Sequence, residues 1–352
     1  MGLKYPGDLE SWQRWQANAH FMSRAKNTAH KVLARGSQPK HVQPAGLLHF
    51  RGDETAQVLV VLDSLSPTSV GALLTPLAHL EVSVAVWAPQ RALDFLPLCE
   101  WETREVSASE LVHRLSGVRQ VLSAGHYLPL GHAAYQKAEE NGWKYCVVQH
   151  GLMTPFAPPL PANSTLFAFS EADAEFWKSG RTDVTQHVVG SQMFYEATKK
   201  PKVASENIAE QPVFLGQMHG AELPRPSFAR ASYKFCKDHQ AIYRPHPSEK
   251  DRLSTITHKL WAKQGIEVDH SAVPLNELNN PVVSVFSTGV LEAAMRGIPA
   301  WVYHPNPPEW LLEFWNRYGM HQWGSEPTPA PVVPECEPAQ EIARLIATIL
   351  EK

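Results

Sequence analysis

The sequence predicts an α/β protein made of two Rossmann-like domains, each with a mostly parallel sheet, that face each other across a cleft. Three observations lead to this fold class. The chain has 352 residues, of which 43% are hydrophobic, so it is long enough for two packed domains. Continuous apolar runs recur along it, as expected for parallel strands buried on both faces. Helical stretches separate these runs, and the alternation restarts after a polar break.

Composition excludes several classes of function. The net charge is −3 with acidic and basic residues mixed, which disfavours nucleic acid as a partner. Four scattered cysteines form no CxxC pair, which argues against a zinc site or a disulfide framework and fits a reducing compartment. The chain shows no signal-peptide pattern and no apolar run long enough to span a bilayer. We expect a cytoplasmic location. Attachment to the inner face of the cell membrane is an alternative within this expectation.

The first predicted element is a long helix over residues 9–34, in which tryptophans and phenylalanine mix with arginine and lysine. A basic aromatic helix can lie on an anionic membrane and give the protein a peripheral membrane contact. The alternative is that the helix packs on its own domain, and the irregular spacing of its apolar residues favours this alternative.

The first series of strands and helices begins at the run QVLVVL. Strands and their loops are predicted at 57–62, 82–87, 118–125, 144–151, 165–170 and 186–191, and helices at 71–80, 128–142 and 171–180. Such alternation predicts helices on both faces of a mostly parallel sheet.

A second series follows the polar, aperiodic stretch 197–211. Strands are predicted at 212–217, 241–247, 281–287 and 299–304, and helices at 226–239, 250–265, 288–297 and 337–352, with 305–334 irregular. We therefore predict an N-terminal acceptor-side domain over 1–200, a linker over 201–211 and a C-terminal domain for a donor nucleotide over 212–352.

Residues directly after the strands are the candidate site residues, because ligands of such sheets bind at the carboxyl ends of the strands. The segment VVQHGLMTP places His150 after a buried strand, next to Gly151. A neutral imidazole there can act as a base on an acceptor hydroxyl. The alternative is a loop histidine that only bonds the backbone.

The segment IYRPHP places Arg244 and His246 after another strand. Both side chains can donate hydrogen bonds to phosphate oxygens, and the two flanking prolines stiffen the loop. The alternative is a rigid structural loop with a surface arginine.

The sharpest pattern is VFSTGVLEAAMRG. Ser287, Thr288 and Gly289 lie between a strand and a helix, where free backbone N–H groups and hydroxyls can bind phosphate. Glu292 follows one turn later, where its carboxylate can accept hydrogen bonds from both hydroxyls of a ribose. The alternative is an ordinary capped turn between a strand and a helix.

Weaker candidates complete the set. His219, in FLGQMHG, is a further candidate for a donor phosphate, and His126 and Thr154 are candidates on the acceptor side. Asp63 and Ser64, after the first strand, are expected to be ordinary loop residues. We find no acidic cluster of the DxD type and therefore expect no metal ion and no cofactor.

The order of "HGxxTP", "VVGS", "RPHP" and "STGVLEAAMRGIPA" resembles GT-B fold transferases that build bacterial surface polymers. The resemblance covers about residues 145–305. It includes capsule and lipopolysaccharide glycosyltransferases, CDP-glycerol glycerophosphotransferases of teichoic-acid synthesis, and a wider nucleotide-sugar family whose last helix carries a ribose-binding glutamate. The sequence has QHG where the glycerophosphotransferases have WHGTP, and it shows no acidic segment of the sialyltransferase kind.

This resemblance implies His150 as the catalytic base, Arg244, His246, Ser287 and Thr288 on the donor phosphates, and Glu292 on the ribose. The implied function is an inverting, metal-independent glycosyltransferase of the cell envelope. Its partners would be a CMP-, CDP- or UDP-linked donor and a saccharide, lipid-linked or polymer acceptor.

Three alternatives stay open. A CDP-glycerol glycerophosphotransferase would use the same fold but attack phosphorus instead of carbon. A sugar-nucleotide epimerase would act on the nucleotide sugar with no acceptor. A non-catalytic module would bind a nucleotide or polymer through Glu292 and Ser287 and would not need His150.

Overall fold

A computed structural model describes residues 2–19, 44–50, 56–90, 92–97, 100–271 and 273–351, and these form two compact units. The first unit contains residues 2–15, the described part of 44–195, and 333–351. The second contains 16–19 and the described part of 196–332. The predicted α/β class is confirmed, with a mostly parallel sheet in the first unit and a fully parallel sheet in the second.

The first unit holds an eight-stranded sheet in the order β4-β1-β3-β2-β5-β6-β7-β8. All neighbouring pairs are parallel except those that β1 makes with β3 and β4. Its strands are β1 (Ala45–Phe50), β2 (Val58–Val61), β3 (Val84–Ala88), β4 (Glu102–Ser107), β5 (Gln120–Ser123), β6 (Lys144–Val148), β7 (Thr165–Ala168) and β8 (Thr185–Val188).

The second unit holds a four-stranded, fully parallel sheet in the order β10-β9-β11-β12. Its strands are β9 (Val213–Leu215), β10 (Ile242–Arg244), β11 (Val282–Ser284) and β12 (Ala300–Val302).

Eleven α-helices are seen in the described part of the chain. They are α1 (Leu9–Ala19), α2 (Pro67–Leu74), α3 (Ala108–Arg114), α4 (Pro129–Asn141), α5 (Glu171–Lys178), α6 (Gln192–Thr198), α7 (Arg225–His239), α8 (Arg252–Lys263), α9 (Gly289–Met295), α10 (Glu309–Arg317) and α11 (Pro338–Leu350). None is long and apolar enough to cross a membrane.

Strand β2 shows why its apolar run does not alternate with polar residues. Val58 and Val60 belong to one buried apolar cluster, and Leu59 and Val61 belong to another. Because successive side chains of a strand point to opposite faces, both faces of the sheet are buried.

Helix α11 covers one of these faces. Ile342 and Ile346 pack in the same cluster as Val58 and Val60. The sequence assigned this helix to the second domain, whereas the structure places it in the first unit. The apolar side of the helix is buried in the same cluster as strand β2, which lies almost 300 residues earlier in the chain.

The predicted linker also differs from expectation. Within 201–211, the Val203 N–H donates to the Arg296 carbonyl over 2.8 Å, and the Ala209 N–H donates to the Asn279 carbonyl over 3.0 Å. These bonds hold the stretch on the second unit, and the division between the units falls at 195/196.

The predicted long N-terminal helix is seen over Leu9–Ala19, and the rest of it, to residue 34, lies outside the described residues. Residues 9–15 of the helix belong to the first unit and pack on it. Trp12 Nε1 donates to the Phe156 carbonyl over 2.8 Å, and the Trp15 ring stacks on Phe156 at 4.9 Å.

Candidate functional site

The carboxyl ends of β9, β10 and β11 surround a pocket of about 580 Å³ in the second unit. This volume is within the range of small-molecule sites. The lining residues are Leu215, Gly216, Arg244, Pro245, His246, Pro247, Glu249, Lys250, His258, Asp269, His270, Val273, Pro274, Leu275, Ser287, Thr288, Gly289 and Glu292. We call it the second-unit pocket. It brings together the RPHP segment and the Ser-Thr-Gly segment, which are about 40 residues apart.

Glu292 points to this pocket from the first turn of α9. Burial raises the pKa of its carboxyl, and the Thr288 hydroxyl, which donates a hydrogen bond to it, and the charge of Lys200 oppose the rise. In the same segment, the Ser287 hydroxyl accepts from the Gly289 N–H over 3.2 Å. The sequence placed these residues together correctly.

The Gly289 position is explained by packing. A Cβ there would lie 2.6 Å from Leu215 Cδ1 and 2.7 Å from Leu275 Cδ2. Helix α9 has only seven residues. The side chains of the Ser-Thr-Gly segment are therefore the stronger phosphate candidates, and the role of Gly289 is to let α9 pack against the end of β9.

Arg244 differs from its predicted role as a free phosphate ligand. Its Nη1 donates to Asp269 Oδ2 over 2.7 Å, and its Nη2 donates to the Val273 carbonyl. This pairing compensates the charge of the guanidinium and ties β10 to the 269–273 segment of the pocket wall.

His246 is held in one protonation form. Its Nδ1 accepts from the Ser248 N–H over 3.1 Å, and burial lowers the pKa of the ring. A neutral ring with Nδ1 as acceptor carries its proton on Nε2, which can donate to a phosphate oxygen. His219 does not line the pocket; its ring stacks on His246, with centroids 3.8 Å apart.

A buried network beneath the pocket is absent from the sequence prediction. Glu249 Oε1 accepts from the Met218 N–H at 2.9 Å, and Oε2 accepts from the Tyr243 hydroxyl at 2.7 Å and lies 3.1 Å from His258 Nε2. Burial raises the pKa of Glu249, but the bonds from His258, Tyr243 and Met218 outweigh it, so the pKa is lowered. An ionised carboxylate therefore joins three segments of the second unit.

Lys250 is another pocket residue that the sequence analysis missed. It is exposed, lines the second-unit pocket and forms no ion pair with a described residue. Its ammonium group adds a positive charge to the pocket that His246 also lines, and lysine is a common phosphate ligand. The only sequence signal was its place four residues after His246.

His150 lies in a separate pocket of about 250 Å³ in the first unit, which we call the first-unit pocket. This is the volume of roughly eight water molecules. The lining is rich in hydroxyl groups and consists of Asp63, Ser64, Ser66, Thr68, Ser69, Leu73, Ala124, Gly125, Tyr127, Leu128 and His150. It suits a small polar group.

The position of His150 is fixed by its neighbour. Gln149 Nε2 donates to the Gly151 carbonyl over 2.9 Å, and its Oε1 accepts from the Phe169 N–H over 2.8 Å. Burial lowers the pKa of His150, with a backbone bond at Val148 opposing it, so the ring is neutral at pH 7. Its buried Nδ1 has no hydrogen-bond partner among the described residues. A neutral ring with an unbonded nitrogen can accept a proton.

Asp63 has more than the loop role that the sequence suggested. Its two carboxylate oxygens accept from the N–H groups of Leu130 and Gly131, over 2.7 and 2.8 Å, at the start of α4. Burial raises its pKa, and these two bonds oppose the rise. Asp63 therefore anchors α4 to the wall of the first-unit pocket.

The two weaker acceptor-side candidates lie outside this pocket. His126 is buried, its ring meets Tyr135 edge-on at 5.1 Å, and burial lowers its pKa to about 4. Thr154 Oγ1 accepts from the Phe156 N–H over 3.3 Å within a turn. Both have structural contacts, and the structure does not bring them to His150.

No metal cluster of three or more histidine, cysteine or acidic side chains occurs in the part of the chain that the structure describes.

No protein-family model matches the chain, and no curated protein sequence does. Three solved structures resemble it in fold. The UDP-GlcNAc 2-epimerase of Methanocaldococcus jannaschii, in complex with UDP-GlcNAc and UDP, is 12% identical, with 83% of this chain and 99% of that chain covered and a TM-score of 0.52. The UDP-N-acetylglucosamine 2-epimerase of Rickettsia bellii is 10% identical, with 84% of this chain and 97% of that chain covered and a TM-score of 0.52. The UDP-GlcNAc 2-epimerase of Neisseria meningitidis, bound to UDP-GlcNAc, is 14% identical, with 84% of this chain and 100% of that chain covered and a TM-score of 0.50.

At these identities the likeness is one of fold. Because it extends over both units, it confirms the predicted resemblance at the level of the GT-B fold: the chain shares its α/β architecture with GT-B fold enzymes.

Proposed function

We propose that this chain is a nucleotide-sugar enzyme that binds its donor in the second-unit pocket and transfers the sugar to an acceptor hydroxyl. One observation carries the proposal. The second-unit pocket combines phosphate-binding donors, Lys250, His246 and Ser287, with a half-buried carboxylate, Glu292. Phosphates require the first kind of group, and the two hydroxyls of a ribose require the second.

The roles follow from the chemistry of each group. The Lys250 ammonium neutralises charge on the donor phosphates, and the His246 Nε2–H and the Ser287 hydroxyl donate hydrogen bonds to their oxygens. Glu292 accepts from the ribose. Arg244 acts through Asp269 by holding the pocket wall, and His219 acts by supporting the His246 ring.

His150 is the proposed base. It removes a proton from the acceptor hydroxyl, whose oxygen then forms a bond to the anomeric carbon. The bond from that carbon to the donor phosphate breaks, so the nucleotide leaves with the electron pair and the configuration inverts. Lys250 and His246 stabilise the negative charge that develops on the leaving phosphate, so no metal is required for this step.

A second candidate function is favoured by the fold comparison. Three similar structures with a TM-score of at least 0.50 are UDP-GlcNAc 2-epimerases. An epimerase would use the same second-unit pocket for UDP and would invert one sugar carbon without an acceptor. UDP is therefore the first nucleotide to test.

The donor site is tested by thermal shift with UDP, CDP, CMP and GDP. A true ligand stabilises the protein by mass action, so Tm should rise with nucleotide concentration. Lys250→Ala and Glu292→Gln should each weaken binding about tenfold or more, as expected for the loss of a charged hydrogen bond. Lys259→Ala, on the outer face of α8, is the matched control and should bind as wild type does. Absence of a shift with every nucleotide contradicts the proposal.

Transfer and epimerisation are separated by NMR with UDP-GlcNAc. A transferase should release UDP only when an acceptor is added, and His150→Ala should reduce that rate at least about a hundredfold. A new sugar isomer formed without acceptor would instead identify an epimerase. A His150→Ala rate near that of wild type would remove His150 from the mechanism.

A further inference from the structure

Helix α8 exposes a line of large apolar side chains. Leu253, Ile256 and Leu260 have exposed fractions of 56%, 61% and 51%. Their spacing of three and four residues places them on one side of the helix. They are three of the seven large hydrophobic residues found exposed in the described part of the chain. This clustering on one helix is unlike the scattered exposure of an ordinary surface.

The opposite side of α8 already provides its packing. Ser254, His258 and Trp261 are buried, and His258 bonds Glu249 beneath the second-unit pocket. The outer line therefore adds nothing to the core of the second unit, and its exposure needs another explanation.

A line of positive charge runs beside the apolar line. The line consists of Arg252, Lys259 and Lys263. Lys259 lies seven residues after Arg252 and Lys263 lies eleven residues after it, which is about two and three helical turns, so all three share one side of the helix. The helix contains no aspartate or glutamate. None of the three forms an ion pair with a described residue.

We propose that this outer face of α8, formed by Leu253, Ile256, Leu260, Arg252, Lys259 and Lys263, binds an anionic lipid surface. A line of apolar side chains beside a line of basic ones is the pattern of helices that lie in a membrane interface, where the apolar groups enter the acyl boundary and the cations meet the headgroups. A two-fold contact between copies through the same face would bring like charges together, which disfavours a dimer. The proposal does not depend on the nucleotide site.

Co-sedimentation with vesicles tests the proposal. The full chain should bind vesicles that contain phosphatidylglycerol, bind pure phosphatidylcholine vesicles much less, and be released by high salt. Two variants should bind the anionic vesicles with an affinity at least about tenfold lower than that of wild type. They are the triple variant Leu253→Ser/Ile256→Ser/Leu260→Ser and the double variant Lys259→Glu/Lys263→Glu. Leu312→Ser, which changes a 43% exposed leucine of α10 in the same unit, is the matched control.

Thermal shift with nucleotide and circular dichroism show whether each variant is folded. Equal binding to both kinds of vesicle, or binding to anionic vesicles that the triple serine variant leaves unchanged, would overturn the proposal. So would a concentration-dependent dimer in light scattering that the triple variant abolishes, because the face would then join two copies of this chain.

Discussion

At the scale of single residues, sequence pattern found the groups whose role depends on local position. Glu292 could be predicted because it lies one helical turn beyond Thr288, and the structure places both residues in the lining of the second-unit pocket. Lys250 and Glu249 could not be predicted, since their roles depend on which distant segments fold around them. Arg244 shows the same limit, because its partner Asp269 lies 25 residues away.

Glu249 supports a prediction about the stability of the second unit. Glu249→Ala leaves the Met218 N–H and the Tyr243 hydroxyl buried without their acceptor, which should cost about 2 to 4 kcal/mol. Urea unfolding followed by tryptophan fluorescence measures the loss. The exposed Glu210→Ala is the control and should change stability by less than about 0.5 kcal/mol. A loss that small in Glu249→Ala would show that the network adds no stability.

At the scale of elements, the buried parallel strands were predicted and the polar edge strand β4 was not. Strands β2, β5, β6 and β7 are apolar because both faces of the sheet are covered. Strand β4 has the sequence ETREVS and is mostly exposed, so it carries no apolar run to detect. Helix α10 was missed because it lies in a segment rich in proline and aromatic residues, where propensity is overridden by packing.

Two helix glycines of the first unit give opposite predictions. In α4, a Cβ on Gly131 would lie 2.2 Å from the Gly125 carbonyl oxygen and 3.0 Å from Asp63 Oδ2. Gly131→Ala should therefore destabilise by about 1 to 3 kcal/mol and disturb the first-unit pocket. In α2, a Cβ on Gly71 meets nothing within 4 Å, so Gly71→Ala should stabilise by up to about 1 kcal/mol. Chemical denaturation of both variants measures the change in the free energy of unfolding. Equal changes in the two variants would contradict the steric explanation.

At the scale of the whole molecule, two α/β units could be predicted from the repeated alternation of strands and helices. Which helix belongs to which unit could not be predicted in the same way. The amphipathic pattern of α11 shows that it has an apolar face and does not show which sheet that face covers. The structure places it on the first unit, so a domain boundary drawn along the sequence assigned it to the wrong one.

The placement of α11 predicts where its variants act. Ile346→Asp puts a charge into the cluster of Val58 and Val60, which should cost more than about 3 kcal/mol. Hydrogen exchange should show lost protection in β2 and retained protection in β9, because the two strands belong to different units. Arg344→Ala, exposed on the same helix, should leave both strands protected. Lost protection in β9 but not β2 would assign α11 to the second unit.

The return of α11 to the first sheet also sets an order for folding during synthesis. The ribosome makes the strands of the first unit early, then all of 196–332, and only then the helix that covers Val58 and Val60. At typical elongation rates this delay is on the order of 10 to 30 s. During that interval the part of the apolar sheet that α11 covers stays exposed on the nascent chain, and exposed apolar surface is what chaperones bind. The second unit, begun later, has all of its strands before the first can close its core.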